Sequence, residues 1–117
     1  MFDRLEIFAL ASARAQHAAA RQAVVAQNIA NSDTPGYRAQ DVSDFAETWR
    51  ALQSRAQEAG DHIPLRSIDA GTPASPNGNT VSLELEMLRG IEAQRAHSRA
   101  LQIYGSAMSI LRTSIGR

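Results

Sequence analysis

The sequence predicts an all-α fold in which two long terminal helices pack as an antiparallel coiled-coil-like pair, with a short middle helix and an irregular loop between them. Apolar residues recur at spacings of three and four near both ends of the chain. Aromatic residues make up only 5% of the sequence, which is low for a β-rich fold. Turn-forming residues gather between the two periodic stretches, and three of the four prolines follow residue 60. These observations favour a helical body with an irregular insert.

The length of 117 residues suits one domain with a modest core. We therefore expect a single domain over residues 1–117. Its expected parts are an N-terminal helix over about 3–33, a corner, short helix and loop over 34–80, and a C-terminal helix over 81–116.

The composition excludes several classes of partner. The formal net charge is +0 and the isoelectric point is near 6.8, so no global field would draw the chain to nucleic acid or an anionic membrane. The chain has no cysteines, which removes disulfides and thiolate metal sites. The first six residues include charged side chains and lack the apolar run of a secretory signal. No apolar stretch of the sequence is long enough to cross a bilayer. We expect any export to use a route without a cleaved signal peptide.

The first helix is predicted from a pattern of small residues over 3–31. Its large side chains lie in the first two turns, and alanine dominates beyond them. Alanine propagates a helix well, buries little area and lets a partner helix approach closely. The predicted contact face consists of Leu5, Phe8, Ser12, Ala15, Ala19, Gln22, Ala26 and Ile29, with Val25 beside it.

A rigid corner is predicted where this helix ends, at residues 28–38. Pro35 lacks an amide donor and Gly36 favours positive φ, so the helix cannot continue through them. The four residues from Thr34 to Tyr37 fit a type II turn, with proline second and glycine third. Short polar side chains just before the turn can bond the backbone groups that the helix end leaves free.

A short middle helix follows, which we expect to end near Ala59, before Gly60. Either Ser43 or Asp44 can cap its start. We expect its aromatic side chains to pack back on the body; a ligand pocket is the alternative. The residues at helical spacing are Val42, Phe45, Trp49 and Leu52.

Residues 60–80 are rich in turn formers and poor in apolar residues, which predicts an irregular loop. Ile63, Leu65 and Ile68 alternate weakly, which indicates a short extended piece within it.

The last helix has the strongest periodicity, over residues 81–115. Ser82 is its predicted N-cap, and acidic residues in its first turn suit the positive end of the helix dipole. Its stripe of large residues consists of Leu85, Leu88, Ile91, Leu101, Tyr104, Met108, Leu111 and Ile115. Charged residues alternate in pairs three apart, which indicates a solvated face, with ion pairing between subunits as the alternative. These charged residues are Glu84, Glu86, Arg89, Glu92 and Arg95.

The two long helices are poorly matched in side-chain size. The first offers mainly alanine, while the last carries a stripe of large residues. We therefore expect other chains to cover part of that stripe.

The residues that could carry chemistry are scattered. His17, His62 and His97 lie in three different segments, and none has a second ligand at metal-binding spacing. No Gly-x-Ser-x-Gly motif and no glycine-rich phosphate loop occurs in the sequence. Asp33 has no second carboxylate placed to share acid and base roles, so we interpret it as a turn former. The sequence predicts no catalytic, cofactor-binding or metal-binding residue.

The corner resembles the signature of the flagellar rod, hook and axial protein family, in which a long N-terminal helix ends in an asparagine-containing segment that closes with Thr-Pro-Gly-Tyr. The preceding run, residues 21–31, resembles that family's helix end. Residues 77–87 resemble its Gly-Asn-x-Val-x-Leu-x-x-Glu-Met start of the C-terminal helix. The chain lacks the large β-rich insert of the hook and distal-rod relatives, and is therefore most similar to a member of the proximal rod.

The resemblance implies a non-enzymatic structural subunit of the bacterial flagellar basal body that assembles helically with copies of itself and other rod proteins beside the MS ring, and transmits torque. It implies export through the flagellar type III apparatus to the periplasmic rod, with no small-molecule substrate and no cofactor. The motif residues that would fix the corner are Asn28, Asn31, Thr34, Pro35, Gly36 and Tyr37. The expected assembly interface consists of Leu5, Phe8, Ile29, Leu88, Ile91, Leu101, Tyr104, Met108, Leu111 and Ile115.

Two alternatives stay open at this point. A neighbouring proximal-rod subunit shares the corner motif, and only the chain length and residues 81–87 argue against it. A soluble helical adaptor or export chaperone could use the same stripe to bind one partner. Ser82 also departs from the family pattern, in which an acidic residue is common at that position.

Overall fold

Two long helices packed side by side form the body of the protein. A computed structural model describes residues 2–54 and 65–116, with only the backbone of residues 2–4. The elements along the chain are α1 at Phe2–Ala30, β1 at Gln40–Val42, α2 at Phe45–Ser54, β2 at Ser67–Asp69 and α3 at Leu83–Ile115. The predicted all-α class is confirmed, because α1 and α3 pack closely and the two strands hold only three residues each.

Small side chains form the contact between α1 and α3. Gly90 lies so close to α1 that a Cβ added there would be 3.5 Å from Val25 Cγ1. Spacing of seven residues on both helices is typical of a coiled-coil-like pair. The buried residues at this spacing are Ala11, Ala18 and Val25 on α1, and Ala93 and Ala100 on α3.

The observed contact face of α1 lies about one position away from the predicted one. The sequence pattern places Ala19 and Ala26 inward, but both are exposed, whereas Ala18 and Val25 are buried. Alanine occupies so many positions of α1 that apolar periodicity alone does not separate one face from the next.

The contact face of α3 differs more from the prediction, because it is not the stripe of large residues. Ala93 and Ala100 face α1, while Leu88 and Leu101 are about half exposed, at 52% and 53%. Close approach to an alanine-lined helix requires small side chains on the partner as well. Most of the large residues of α3 consequently lie outside this contact.

Both ends of α3 are capped. The Ser82 side chain accepts a long hydrogen bond of 3.5 Å from the Leu85 amide, which confirms the predicted N-cap. At the other end, the Gly116 amide donates to the Arg112 carbonyl.

The α2 helix begins at Phe45, after an Asp44 cap whose Oδ1 accepts from the Glu47 amide at 2.9 Å. Phe45 packs against His17 of α1 with ring centroids 5.6 Å apart, as expected for aromatics that face the body. The predicted end of this helix near residue 59 lies outside the described residues.

A two-stranded antiparallel sheet was not predicted. It pairs β1 with β2, so that Asp41 lies opposite Ile68. Val42, which the helical spacing assigns to the middle helix, is instead the last residue of β1. The indicated extended piece around Ile68 is β2, and a partner 27 residues away in sequence is invisible to local periodicity.

The described chain is elongated, with principal extents of 64 × 28 × 17 Å. Its radius of gyration of 17.4 Å exceeds the value of about 13 Å typical of a compact chain of this length. Among the described helices, none combines the length and the apolar content needed to cross a bilayer.

Candidate functional site

The turn at the corner has the predicted geometry. The Tyr37 amide donates to the Thr34 carbonyl at 3.2 Å, which closes the turn. Gly36 has φ of +74°, the left-handed value that the third position of a type II turn requires. The corner motif therefore fixes the direction in which the chain leaves α1.

Asn31 satisfies the end of α1. Its Nδ2 donates to the Gln27 carbonyl at 2.8 Å, and its Oδ1 accepts from the Thr34 hydroxyl at 3.1 Å. The Asn31 side chain thus adds a second bond to the Gln27 carbonyl, which also accepts from the Asn31 amide at 3.2 Å, and it holds the start of the turn.

Asn28 joins three parts of the fold through one buried amide, which is 1% exposed. Its Nδ2 donates to the Gln40 carbonyl at 2.7 Å and to Glu86 Oε1 at 2.9 Å. Its Oδ1 accepts from the Gln40 amide at 3.1 Å and from the Tyr37 hydroxyl at 3.2 Å. Since an amide offers two donors and two acceptor positions, Asn28 is fully satisfied.

The second family-like motif, residues 77–87, folds directly onto the corner. Asn79 is buried, and its Nδ2 donates to the carbonyls of Asn31 at 2.9 Å and Thr34 at 2.7 Å. Its Oδ1 accepts from the Val81 amide at 2.7 Å. The two motifs, which are about forty residues apart in sequence, are therefore one structural unit, which we call the corner clasp and define as residues 28–40 and 77–86.

Backbone contacts close the corner clasp. The Gly36 amide donates to the Asn77 carbonyl at 3.0 Å, and the Thr80 amide donates to the Tyr37 carbonyl at 2.9 Å. Thr80 is buried, and its Oγ1 accepts from the Ala39 amide at 2.7 Å.

Gly78 lies against the corner glycine. A Cβ added at Gly78 would be only 3.3 Å from the Gly36 Cα, and Gly78 also has positive φ, at +84°. A glycine is required there for both reasons.

Glu86 ends the corner clasp inside the protein, with 0% of its surface exposed. Its Oε1 accepts from Asn28 and from the Arg89 guanidinium at 3.0 Å, while its Oε2 has no hydrogen-bond partner among the described residues. The interpretation of Glu86 and Arg89 as part of a solvated face was wrong, because Glu86 is buried and Arg89 is half-buried. The signal lay in the spacing: Glu86 precedes the buried Ala93 and Ala100 by multiples of seven.

The structure brings the six predicted motif residues together, but in different roles. Asn28, Asn31, Thr34 and Tyr37 act through side chains or carbonyls in the corner clasp, whereas Pro35 is exposed. The motif prediction did not include the residues that complete the corner clasp from the other side, namely Gly78, Asn79, Thr80 and Glu86.

The predicted interface residues divide into two groups. Phe8, Met108 and Leu111 are half-buried within the chain, and Phe8 packs on Tyr104 with ring centroids 5.1 Å apart. The exposed group consists of Leu5, Ile29, Leu88, Ile91, Leu101, Tyr104 and Ile115. Further large exposed residues of α3 are Leu83, Leu85, Met87, Ile103 and Ile110.

Eight exposed large apolar residues of α3 are here called the outer face: Leu83, Leu85, Met87, Leu88, Ile91, Leu101, Ile103 and Ile110. Exposed apolar area of this extent on one helix is typical of a surface that binds other proteins. Within residues 2–54 and 65–116, no three His, Asp or Glu side chains are grouped so that they could hold a metal ion. The fold and the corner clasp thus define an elongated helical protein built for protein contacts.

Comparisons with known proteins support this class and narrow it. The family described as "Flagella basal body rod protein" matches residues 9–38, which cover most of α1 and the corner. The flagellar basal body rod protein FlgB of Salmonella typhimurium is 30% identical over 109 residues, with 77% of this chain and 78% of the relative covered. FlgB of Agrobacterium fabrum is 31% identical over 110 residues, with 80% of each chain covered. FlgB of Escherichia coli is 37% identical over 87 residues, with 58% of this chain and 62% of the relative covered.

The chain belongs to the FlgB family of flagellar basal body rod proteins. The prediction of a flagellar rod protein is thereby confirmed, and the FlgB assignment is favoured over the neighbouring subunit FlgC and over an adaptor or chaperone.

Proposed function

We propose that this chain is a non-enzymatic structural subunit of the proximal rod, which assembles helically with copies of itself and with other rod proteins beside the MS ring and transmits torque. It would reach the periplasmic rod through the flagellar type III export apparatus, without a cleaved signal peptide. Membership of the FlgB family supports the assignment of this chain to the rod. The exposed outer face of α3 supports assembly through contacts with other chains.

One observation carries the proposal: the large apolar residues of α3 are exposed even though α3 is already packed on α1. Small residues of both helices form the contact between α1 and α3. The residues of the outer face lie outside that contact, so α1 does not cover them. Burying one large apolar side chain stabilises an assembly by about 1.5–3 kcal/mol. Neighbouring chains that cover the outer face would therefore stabilise the rod.

The corner clasp has a supporting role in this proposal. It fixes the chain direction after α1 and the starting point of α3 through buried hydrogen bonds. A subunit in a torque-bearing assembly needs such a defined geometry, because each contact is repeated in every copy.

Charge placed on the outer face tests the proposal. Leu101→Asp and Ile110→Asp should leave the isolated chain helical, because both side chains are more than half exposed. Both should block rod completion, because a buried unpaired carboxylate in an interface is strongly unfavourable. Leu111 is a poorer test site, since it is half-buried in the chain itself.

The measurements are circular dichroism of the purified chain and swimming of a strain in which the variant replaces the natural subunit. Gln53→Asp is the matched control, because Gln53 is exposed, already polar and lies on α2 outside the outer face, and this variant should swim normally. Normal swimming with Leu101→Asp and Ile110→Asp together would exclude the outer face as an assembly surface.

A further inference from the structure

A groove between α1, α2 and α3 combines positive charge with an apolar floor. It has a volume of about 290 Å³. The lining residues are Arg14, His17, Phe45, Ala96, Arg99, Ala100 and Ile103. Ala100 is buried and forms the floor, while Ile103 is about half exposed at 49% and forms part of the wall.

Two guanidinium groups on the groove are available to a ligand. Neither Arg14 nor Arg99 forms an ion pair within the described residues, and both are exposed. The Arg14 guanidinium lies over the Phe45 ring, 4.4 Å from its centroid, which holds that charge at the groove edge. His17 is engaged elsewhere, since its Nε2 bonds the Ser43 carbonyl at 2.7 Å. The chemistry that fits this groove is a carboxylate beside large aliphatic side chains.

The first turns of α3 carry that combination on their outward side. Glu84 is exposed and has no ion pair among the described residues, unlike Glu86 and Glu92, which are paired with Arg89 and Arg21. On its face, at spacings of three, four and seven, lie the exposed Met87, Leu88 and Ile91. This is the pattern of a helix that lies in a groove.

Another exposed acid, Glu6, lacks this apolar face. Residues three and seven positions after it are Ala9 and the buried Ala13, and the residue four positions after it, Leu10, is half-buried. Glu84 is therefore the better match to the groove.

The Glu84 face cannot reach the groove of its own chain. Glu84 and Arg99 lie on one helix, about 22 Å apart along its axis at 1.5 Å per residue. A second copy must supply the acidic face.

We infer that the groove lined by Arg14, Phe45 and Arg99 receives the first turns of α3, with Glu84 at their centre, from a second copy of this chain. The contact is heterologous and does not pair a surface with itself, so it repeats from copy to copy and builds an open helical array. Parallel neighbours would be staggered by about 22 Å. This inference rests on the proposed function, because it names the partner and the register of the assembly.

Disulfide cross-linking in assembled rods tests the contact, because the natural chain has no cysteine to interfere. Glu84→Cys and Arg99→Cys are combined in the full-length chain, which is expressed in place of the natural subunit, and basal bodies are isolated and oxidised. Thiols at positions 84 and 99 of one helix are too far apart to bridge, so any disulfide joins two copies. The control combines Glu84→Cys with Arg112→Cys, an exposed arginine on α3 outside the groove.

We expect dimers and higher oligomers from the 84/99 pair and about tenfold fewer from the 84/112 pair. Variant chains that enter basal bodies without 84/99 cross-links, or with equal cross-linking of both pairs, would overturn this inference and leave the proposed function standing. A natural chain that is absent from basal bodies would overturn both.

Charge reversal provides a second readout that needs no cross-link. Glu84→Arg and Arg99→Glu should each lower the swimming population about tenfold, because like charges then face each other across the contact. The double variant should restore swimming, since every copy then supplies the reversed pair. Arg50→Glu, at an exposed arginine of α2 that lies outside both the groove and the outer face, should swim normally. A double variant no better than either single one would contradict the pairing.

Discussion

Asn28 shows how strongly the corner depends on one side chain. Four hydrogen bonds to its amide connect α1 with β1, with the turn and with α3. Its partner Glu86 is a buried acid that forms an ion pair with Arg89. Removing one member of such a cluster leaves the other groups buried without partners, which costs more than the lost bond itself.

Asn28→Leu is expected to destabilise the isolated chain by roughly 3 kcal/mol, because the Gln40 amide and the Tyr37 hydroxyl lose their partner and the buried Glu86 carboxylate loses one of its two donors. Urea unfolding followed by circular dichroism measures the change. Gln27→Leu, at the exposed neighbouring position, should change stability by less than about 0.5 kcal/mol. Equal losses for the two variants would show that the Asn28 network contributes nothing specific.

Asp69 gives the protein a defined response to acid. The Gly71 amide and the Arg38 guanidinium, 2.7 Å away, hold the pKa of the Asp69 carboxyl below its ordinary value of 3.8. Because the pKa is depressed in the folded chain, the contribution of Asp69 to stability is complete above the ordinary value and is lost as pH falls through the folded pKa. Titration of the carboxyl carbon by NMR should give a midpoint below 3.8. The Arg38→Gln variant should shift that midpoint upward, and a midpoint that does not move would contradict the Arg38 contact.

At the scale of the helices, the sequence predicted which elements exist better than which faces meet. Helix propensity and period are local properties, so α1, α2, α3 and the Ser82 cap were predictable from the sequence. The contact face was not, because two helices that both carry alanine can pack more closely than a stripe of leucines permits. The rule that large residues face the partner helix therefore fails here, and the seven-residue spacing of Ala93 and Ala100 marks the true contact.

Ala100→Leu tests this small-residue contact. Ala100 is only 1% exposed against α1, so the larger side chain should force the helices apart and cost about 1–3 kcal/mol in unfolding free energy. Leu101→Ala, at the exposed adjacent position, should have little effect on the isolated chain. Thermal unfolding of both purified variants measures the two changes in stability. A larger loss of stability for Leu101→Ala than for Ala100→Leu would mean that α3 is rotated from the described orientation.

The corner clasp marks the limit of what sequence could predict at the candidate site. The backbone preferences of Pro35 and Gly36 favour a turn, and the turn was predictable for that reason. That Asn79 and Glu86 bond the same corner depends on the register of α3 against α1, which no local pattern specifies. A long-range polar contact of this kind becomes visible only in the folded chain.

The folded subunit as a whole leaves large apolar side chains uncovered. One side of α3 is packed on α1, and the outer face stays exposed, as the proposed contacts with neighbouring rod subunits require. The elongated shape, 64 Å in its longest extent, places much of α3 at the surface, where such neighbours can reach it.

The reactivity of a single thiol on the outer face tests whether neighbouring chains cover that face in the rod. Leu101→Cys introduces the only thiol of the chain, and its rate of maleimide labelling is compared between the purified chain and isolated basal bodies. Ala100→Cys in the purified chain provides the rate for a buried position. We expect Leu101→Cys to be labelled rapidly in the free chain and, in the rod, as slowly as Ala100→Cys is in the free chain. Equal rates for Leu101→Cys in the free chain and in the rod would show that the outer face is not covered.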